Sequence, residues 1–188
     1  MKAVARIGKL FVLSGPGGVG KSTIVQELRK LNDFYFSVSA TTRKPRQGEI
    51  DGVAYHFVSE EKFQSMIDEE RFLEWADFAG SRYGTPKEPV MSAIAQGKNV
   101  ILEIEIQGAR QVKKAMPDAV MVFISPPSLE DLLSRMENRG TDEPERIAAR
   151  LALAREEMAA AGEFDHILVN HRVGEVVDSL VSLAALPH

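Results

Sequence analysis

Cysteine is absent from this chain of 188 residues, which excludes disulfides and thiolate metal sites and is compatible with a cytoplasmic location. No apolar run approaches the ~18 residues of a membrane-spanning helix. The basic start Met1–Arg6 is followed by an apolar run too short for a secretory signal, so no leader is expected. Positive charge is not in excess either. With a net charge of −4, no global basic field draws the chain toward nucleic acid or an anionic membrane. His56, His166 and His188 lack ligand or acid–base partners at evident spacing and read as structural or surface residues. Internal repeats and low-complexity segments are also missing. The remainder is ordinary: 44% apolar and 27% charged residues, at a length that suits one domain with room for an inserted lobe.

One stretch organises the chain. Leu10-Phe11-Val12-Leu13 has the pattern of a short buried strand and runs into Ser14-Gly15-Pro16-Gly17-Gly18-Val19-Gly20-Lys21-Ser22-Thr23. Gly15, Gly20, Lys21 and Ser22 match the phosphate-binding spacing G-x-x-x-x-G-K-[ST]. Glycines let the backbone curl so that successive N–H groups face phosphate oxygens, and the helix opening at Lys21 adds its positive end. Lys21 is placed to reach the β- and γ-phosphates and Ser22 to ligate Mg²⁺. The loop predicts binding of a nucleoside triphosphate.

Downstream, helix is predicted over Lys21–Leu31 and strand over Phe34–Ala40. A polar loop, 41–53, presents Arg43, Lys44 and Arg46. Strand 54–58, a helix capped by Ser59, strands 72–78 and 81–85, and a helix from Pro86 to Gln96 follow. Strand 99–105, helix 108–116 and strand 119–124 lead to a helix started by Ser128. Helix 142–161, strand 167–169 and helix 173–185 complete the chain. Repeated strand–helix units after a phosphate loop imply an α/β protein, a parallel sheet covered by helices. Residues 8–35 and 98–188 are assigned to that core. Residues 36–86 break its rhythm and read as an inserted lobe, and the helical hairpin around Arg139, within 128–161, reads as a lid.

The phosphate loop alone does not separate a GTPase, a motor ATPase and a small-molecule kinase. Asn-Lys-x-Asp and a suitably placed Asp-x-x-Gly, expected of switch proteins, are missing. Instead Arg43 and Arg46, with Tyr55 and Tyr83, offer donors for a second phosphate group. Two phosphate sites in one small α/β chain imply phosphoryl transfer between nucleotides.

The segment Ser37-Val38-Ser39-Ala40-Thr41-Thr42-Arg43-Lys44-Pro45-Arg46, with Gly48, Glu49, Gly52, Tyr55 and Phe57, resembles the signature of guanylate kinases. So do Phe72–Ala76, Tyr83-Gly84-Thr85, Leu102–Gly108, Arg139-Gly140-Thr141 and Arg150-Leu151, in matching order from about Phe11 to Asn170. The resemblance implies a P-loop kinase core with a GMP-binding lobe and a helical lid, transferring the γ-phosphoryl of ATP to GMP or dGMP with Mg²⁺. It implies that Arg43, Arg46, Tyr55 and Tyr83 hold the GMP phosphate and that Glu74 reads guanine. Ser39 and Thr85 would donate to guanine O6. Glu105 would lie between acceptor nucleotide and metal, one methylene longer than the aspartate common there. Arg139 and Arg150 would act in catalysis with Lys21. Arg135 and Asn170 would join residues 15–23 in binding ATP, although His171 follows where the family often has Asp. The non-catalytic interaction modules of the same family are the rival reading, and they typically lack an intact phosphate loop.

Overall fold

The computed structural model describes residues 7–78, 80–138 and 144–186. The apolar run Leu10–Ser14 forms β1, buried along its whole length, and pairs in parallel with β7 (Asn99–Glu103) on one side and β8 (Val120–Ser125) on the other. Strand β2 (Phe34–Phe36) extends the sheet beyond β7, and β9 (His166–Val169) extends it beyond β8. The resulting five-stranded sheet is parallel throughout, in the order β2-β7-β1-β8-β9. Continuous apolar runs suit it, because helices cover both faces.

On one face, α1 (Lys21–Arg29) and α7 (Val173–Ala185) bury Ile24, Leu28, Val176 and Leu180 against Phe11, Leu13, Ile101 and Val122. On the other, α3 (Lys87–Ala95) and α4 (Ile106–Ala115) bury Val90, Ile94, Ala109 and Val112 against Leu10, Val12, Val100 and Leu102. Two further helices, α5 (Leu129–Asn138) and α6 (Pro144–Ala159), pack on each other through Leu132, Met136, Ala154, Ile147 and Leu151. Ser128 caps α5 as expected, its Oγ accepting from the Asp131 N–H at 3.0 Å. Met158, near the end of α6, packs with Ile106, Phe123 and Phe164.

A second sheet is built from β3 (Ala40–Thr41), β4 (His56–Phe57), β5 (Phe72–Phe78) and β6 (Ser81–Pro86), in the order β4-β3-β6-β5. Helix α2 (Glu60–Asp68) covers it with Phe63 and Met66, packed against Ala40, Phe72 and Trp75.

Several boundaries differ from the sequence reading. The single strand expected over 34–40 is two strands in different sheets, because the chain crosses from one sheet to the other at 37–39. The strand expected over 54–58 shrinks to two residues, paired with a β3 that is itself two residues long. Strand β7 stops at Glu103, and α4 starts two residues before Gly108 with Glu105 at its N-cap, so Glu105 is not a strand residue. Pro86 ends β6 and sits at the N-cap of α3, outside the helix it was expected to open. The start expected at Asp142 for the helix after the arginine turn lies outside the described residues.

Candidate active site

The phosphate loop leaves the C-terminal end of β1, between neighbours whose connections run to opposite sides, which is where open α/β sheets bind ligands. Pro16 and Val19 are buried and anchor it, with Val19 in the core cluster under α1. Gly20 adopts φ 102° at the N-cap of α1, a left-handed conformation that favours glycine. A Cβ there would also lie 2.7 Å from Asn170 Nδ2, and one on Gly15 would lie 2.2 Å from the Ile124 carbonyl oxygen. Gly18 faces Leu132 and Met136 of α5, whereas, among the described residues, a Cβ on Gly17 would meet only Arg150 Nη2, at 3.9 Å.

The Lys21 ammonium donates to the carbonyl oxygens of Gly15 and Pro16. Burial pulls its pKa below the ordinary lysine value, opposed by the nearby carboxylates Glu103, Glu157 and Glu105. Ser22 and Thr23 are exposed in the first turn of α1, and Ser22 Oγ donates to Glu103 Oε1 at 3.2 Å. Asn170 sits beneath the loop, 3% exposed, with Nδ2 donating to the Val19 carbonyl at 2.8 Å. Its Oδ1 is buried and, among the described residues, has no hydrogen-bond partner. Arg135 braces the same place, donating to the carbonyls of Val19 at 3.1 Å and Asn170 at 3.0 Å. Arg139 lies outside the described residues.

Between the two sheets lies a cavity of about 330 Å³. Ser39, Arg43, Arg46, Tyr55, Glu74, Tyr83 and Glu105 line it, together with Glu103 and Gly108. Thr85 is not among its walls but lines an adjoining pocket with Ser39 and Tyr55, and donates from Oγ1 to Glu74 Oε1 at 2.6 Å. In this arrangement its hydroxyl hydrogen is engaged with the carboxylate.

Glu74 is 7% exposed. Burial raises its carboxyl above the usual range, and the Thr85 hydroxyl and backbone N–H partly offset that. A register shift between Phe72 and Glu74 aims it inward. Arg43 is held by Glu49: Nη2 donates to Oε1 at 2.9 Å and Nη1 to Oε2 at 3.0 Å. That bond raises the Arg43 pKa further and lowers Glu49 to about 2. The Arg43 guanidinium also lies over the Tyr55 and Phe57 rings, at 5.3 and 5.8 Å. Tyr55 packs edge-on to Tyr83 at 5.9 Å, and burial raises its phenol pKa, so it stays a donor at neutral pH.

Three carboxylates of this site had no role assigned from the sequence. Glu49 was visible in the 43–49 turn but not its partner. Glu103 was visible only as an acid at a strand end. Glu157 is half-buried on α6, and its pKa is raised by burial against the pull of Lys21 and the Gly17 N–H. Local sequence carries no signal for that last contact.

Magnesium fits these residues in a limited way. Ser22 Oγ and the Glu103 carboxylate are adjacent hard oxygen donors. Among the described residues no cluster of three His, Cys, Asp or Glu side chains could hold a metal by itself. Such a pair suits a cation that keeps waters and takes most ligands from phosphate. Also among the described residues, no helix is long and apolar enough to cross a membrane.

The guanylate kinase family model matches residues 7–185. The guanylate kinase of Thermobifida fusca is 55% identical over 180 residues, covering 95% of this chain and 92% of that protein. That of Synechocystis is 52% identical over 177 residues, covering 94% and 93%. The crystal structure of guanylate kinase from Anaplasma phagocytophilum superposes with a TM-score of 0.75 at 31% identity, covering 94% of this chain and 84% of the other.

Proposed function

The chain belongs to the guanylate kinase family, and from that membership we propose how its residues divide between two nucleotides. It is an ATP:GMP phosphotransferase, moving the γ-phosphoryl of ATP onto GMP to give ADP and GDP. One P–O bond to the β-phosphate breaks as one to the GMP phosphate oxygen forms. No covalent enzyme intermediate is needed, so positioning and charge neutralisation do the work.

In this reading the 15–22 loop holds the triphosphate through its inward N–H groups, and Lys21 exchanges its carbonyl partners for phosphate oxygens. Arg150, beside Gly17, and Arg139 add positive charge where it develops. Asn170 Oδ1, buried and without a hydrogen-bond partner among the described residues, suits the adenine amino group, while Arg135 keeps the 19–20 turn against the Asn170 loop. Mg²⁺ would be held by Ser22, with Glu103 beside it and Glu105 nearby, and would supply charge neutralisation on the phosphates. Residues 36–86 form the GMP lobe and 128–161 contain the lid. Arg43, Arg46, Tyr55 and Tyr83 grip the GMP phosphate. Glu74 accepts from guanine N1–H and N2–H, a pairing adenine cannot offer. Ser39 is the hydroxyl left for O6. The proposed partners are the two nucleotides, with neither nucleic acid nor membrane, and the proposed compartment is the cytoplasm.

The observation that carries this reading is the joining, in one cavity beside a complete phosphate loop, of the cationic 43–46 turn, two tyrosines and a buried carboxylate. A coupled assay of ADP formation across GMP, dGMP, AMP, UMP and IMP tests it. GMP and dGMP should dominate. Equal turnover of AMP would overturn the assignment of the base site.

A further inference from the structure

Glu74 does not hold its place by itself. It lies on β5, the outer strand of the second sheet, whose far edge has, among the described residues, no neighbouring strand in that sheet. That edge faces α4, a helix of the five-stranded core that begins three residues beyond the end of β7. Gln111 of α4 closes the edge at the residue next to Glu74. The Trp75 N–H donates to Gln111 Oε1 at 3.1 Å, and Gln111 Nε2 donates to the Trp75 carbonyl at 2.9 Å. The carboxamide thus pairs with both peptide groups, as a neighbouring strand would.

One turn earlier on the same helix is Gly108. A Cβ there would lie 2.7 Å from Glu74 Oε2 and 3.2 Å from its Cδ. The carboxylate therefore occupies the volume that any other residue at 108 would fill. Gly108 is not among the positive-φ residues, so the backbone does not require glycine. Space for Glu74 does.

We propose that α4 is the template for base selection: Gln111 sets the position of β5, Gly108 leaves room for the carboxylate, and Thr85 orients it from the opposite side. Gly108 and Gln111 are positioning residues that act through Glu74, and the inference rests on Glu74 being the guanine reader. It follows that the base reader is fixed to the same core helix whose N-cap position Glu105 occupies. Any movement of the second sheet about β5 must then keep the Trp75–Gln111 pair or lose selectivity.

Steady-state kinetics of the full-length enzyme with GMP and AMP, on Gly108→Ala, Gln111→Ala and Glu74→Gln, test this. In Gly108→Ala the GMP KM should rise about 10- to 100-fold, the loss expected for a group displaced by an ångström, and the GMP preference over AMP should shrink with it. The ATP KM should change by less than about twofold, and the melting temperature should hold or rise, since alanine favours helix more than glycine. Gln111→Ala should show the same pattern with a smaller, several-fold change. Adding Gly108→Ala to Glu74→Asp should cost less than about twofold, because the shorter acid no longer meets the new methyl group. A Gly108→Ala enzyme with parental GMP KM and base preference overturns the template, provided that Glu74→Gln loses both. A fall in melting temperature with GMP and ATP constants worsened together also overturns it, leaving only a packing role. If Glu74→Gln itself keeps the parental preference, the guanine-reader assignment fails and the inference falls with it.

Discussion

Replacing Glu74 by Gln should move stability and recognition in opposite directions. The Glu74 carboxyl is 7% exposed and its pKa is raised above the ordinary 4.5 by burial. An acid whose folded pKa exceeds its unfolded value contributes stability that is present below the unfolded pKa and lost as pH rises through the folded one. At neutral pH the ionised group therefore costs the nucleotide-free protein stability. The amide keeps the Thr85 hydrogen bond, since its carbonyl oxygen can accept from Oγ1 as Oε1 does now at 2.6 Å. Relief of ~1 kcal/mol would raise the melting temperature by about 2–4 °C for a chain of this size. For GMP the sign reverses. One acceptor becomes a donor that confronts a guanine N–H, and a charge-assisted pair is lost. The cost is roughly 2–4 kcal/mol, which lowers kcat/KM for GMP by about 30- to 1,000-fold. Discrimination against AMP should shrink by a similar factor, while the ATP KM stays within a few fold. The pH profile adds a separate check. In the parent, kcat/KM for GMP should fall on acidification with an inflection above the ordinary carboxylate value, and the variant should lack that inflection. Coupled kinetics with both nucleotides and a thermal melt decide the matter. A variant that is less stable and yet keeps its base preference would refute the reasoning on both counts.

Lys21→Met should reduce turnover by about 10³-fold or more while GMP binding, followed by calorimetry, stays near the parental value, because the ammonium donates to the 15–16 carbonyls and, among the described residues, to none of the groups proposed to hold GMP. Loss of GMP binding in that variant would contradict the separation of the two sites. Glu49→Gln should raise the GMP KM several-fold without changing that for ATP, since it removes one of the two oxygens that orient Arg43. The Glu49 carboxyl is held at about 2, so this pair is formed above the ordinary carboxylate value and lost only as pH falls through about 2. The parent's GMP KM should accordingly show no inflection from this pair between about pH 5 and 8. Gly20→Ala, forced to φ 102° and into Asn170 Nδ2, should cost about 1–3 kcal/mol of stability and raise the ATP KM, measured by thermal melt and kinetics.

The phosphate loop was legible in the sequence because it is one contiguous device. Gly15, Gly20, Lys21 and Ser22 act through the backbone they share, and the flanking buried strand and helix are written in local periodicity. The parallel core was legible for the same reason, since Val100–Leu102 and Val120–Ile124 declare burial on both faces. The cationic 43–46 turn and its tyrosines were readable as donors, and the longer signature around them gave the family. What the sequence could not specify lies between residues far apart along the chain. Phe34–Ala40 is uniformly strand-like, and only the presence of two sheets splits it at 37–39. Thr85 was assigned to guanine O6 by resemblance, and its hydrogen bond to Glu74 at 2.6 Å has no local sign in the sequence. Glu157 gives no local sign of meeting the phosphate loop. Gly108 and Gln111 look like an ordinary glycine and a surface amide of an amphipathic helix. Which of them faces Glu74, and that one must lack a side chain so that the other can hold β5, is decided by how α4 crosses an open sheet edge. Local propensity specifies elements, whereas the space and the partners left between them exist only once the chain has packed.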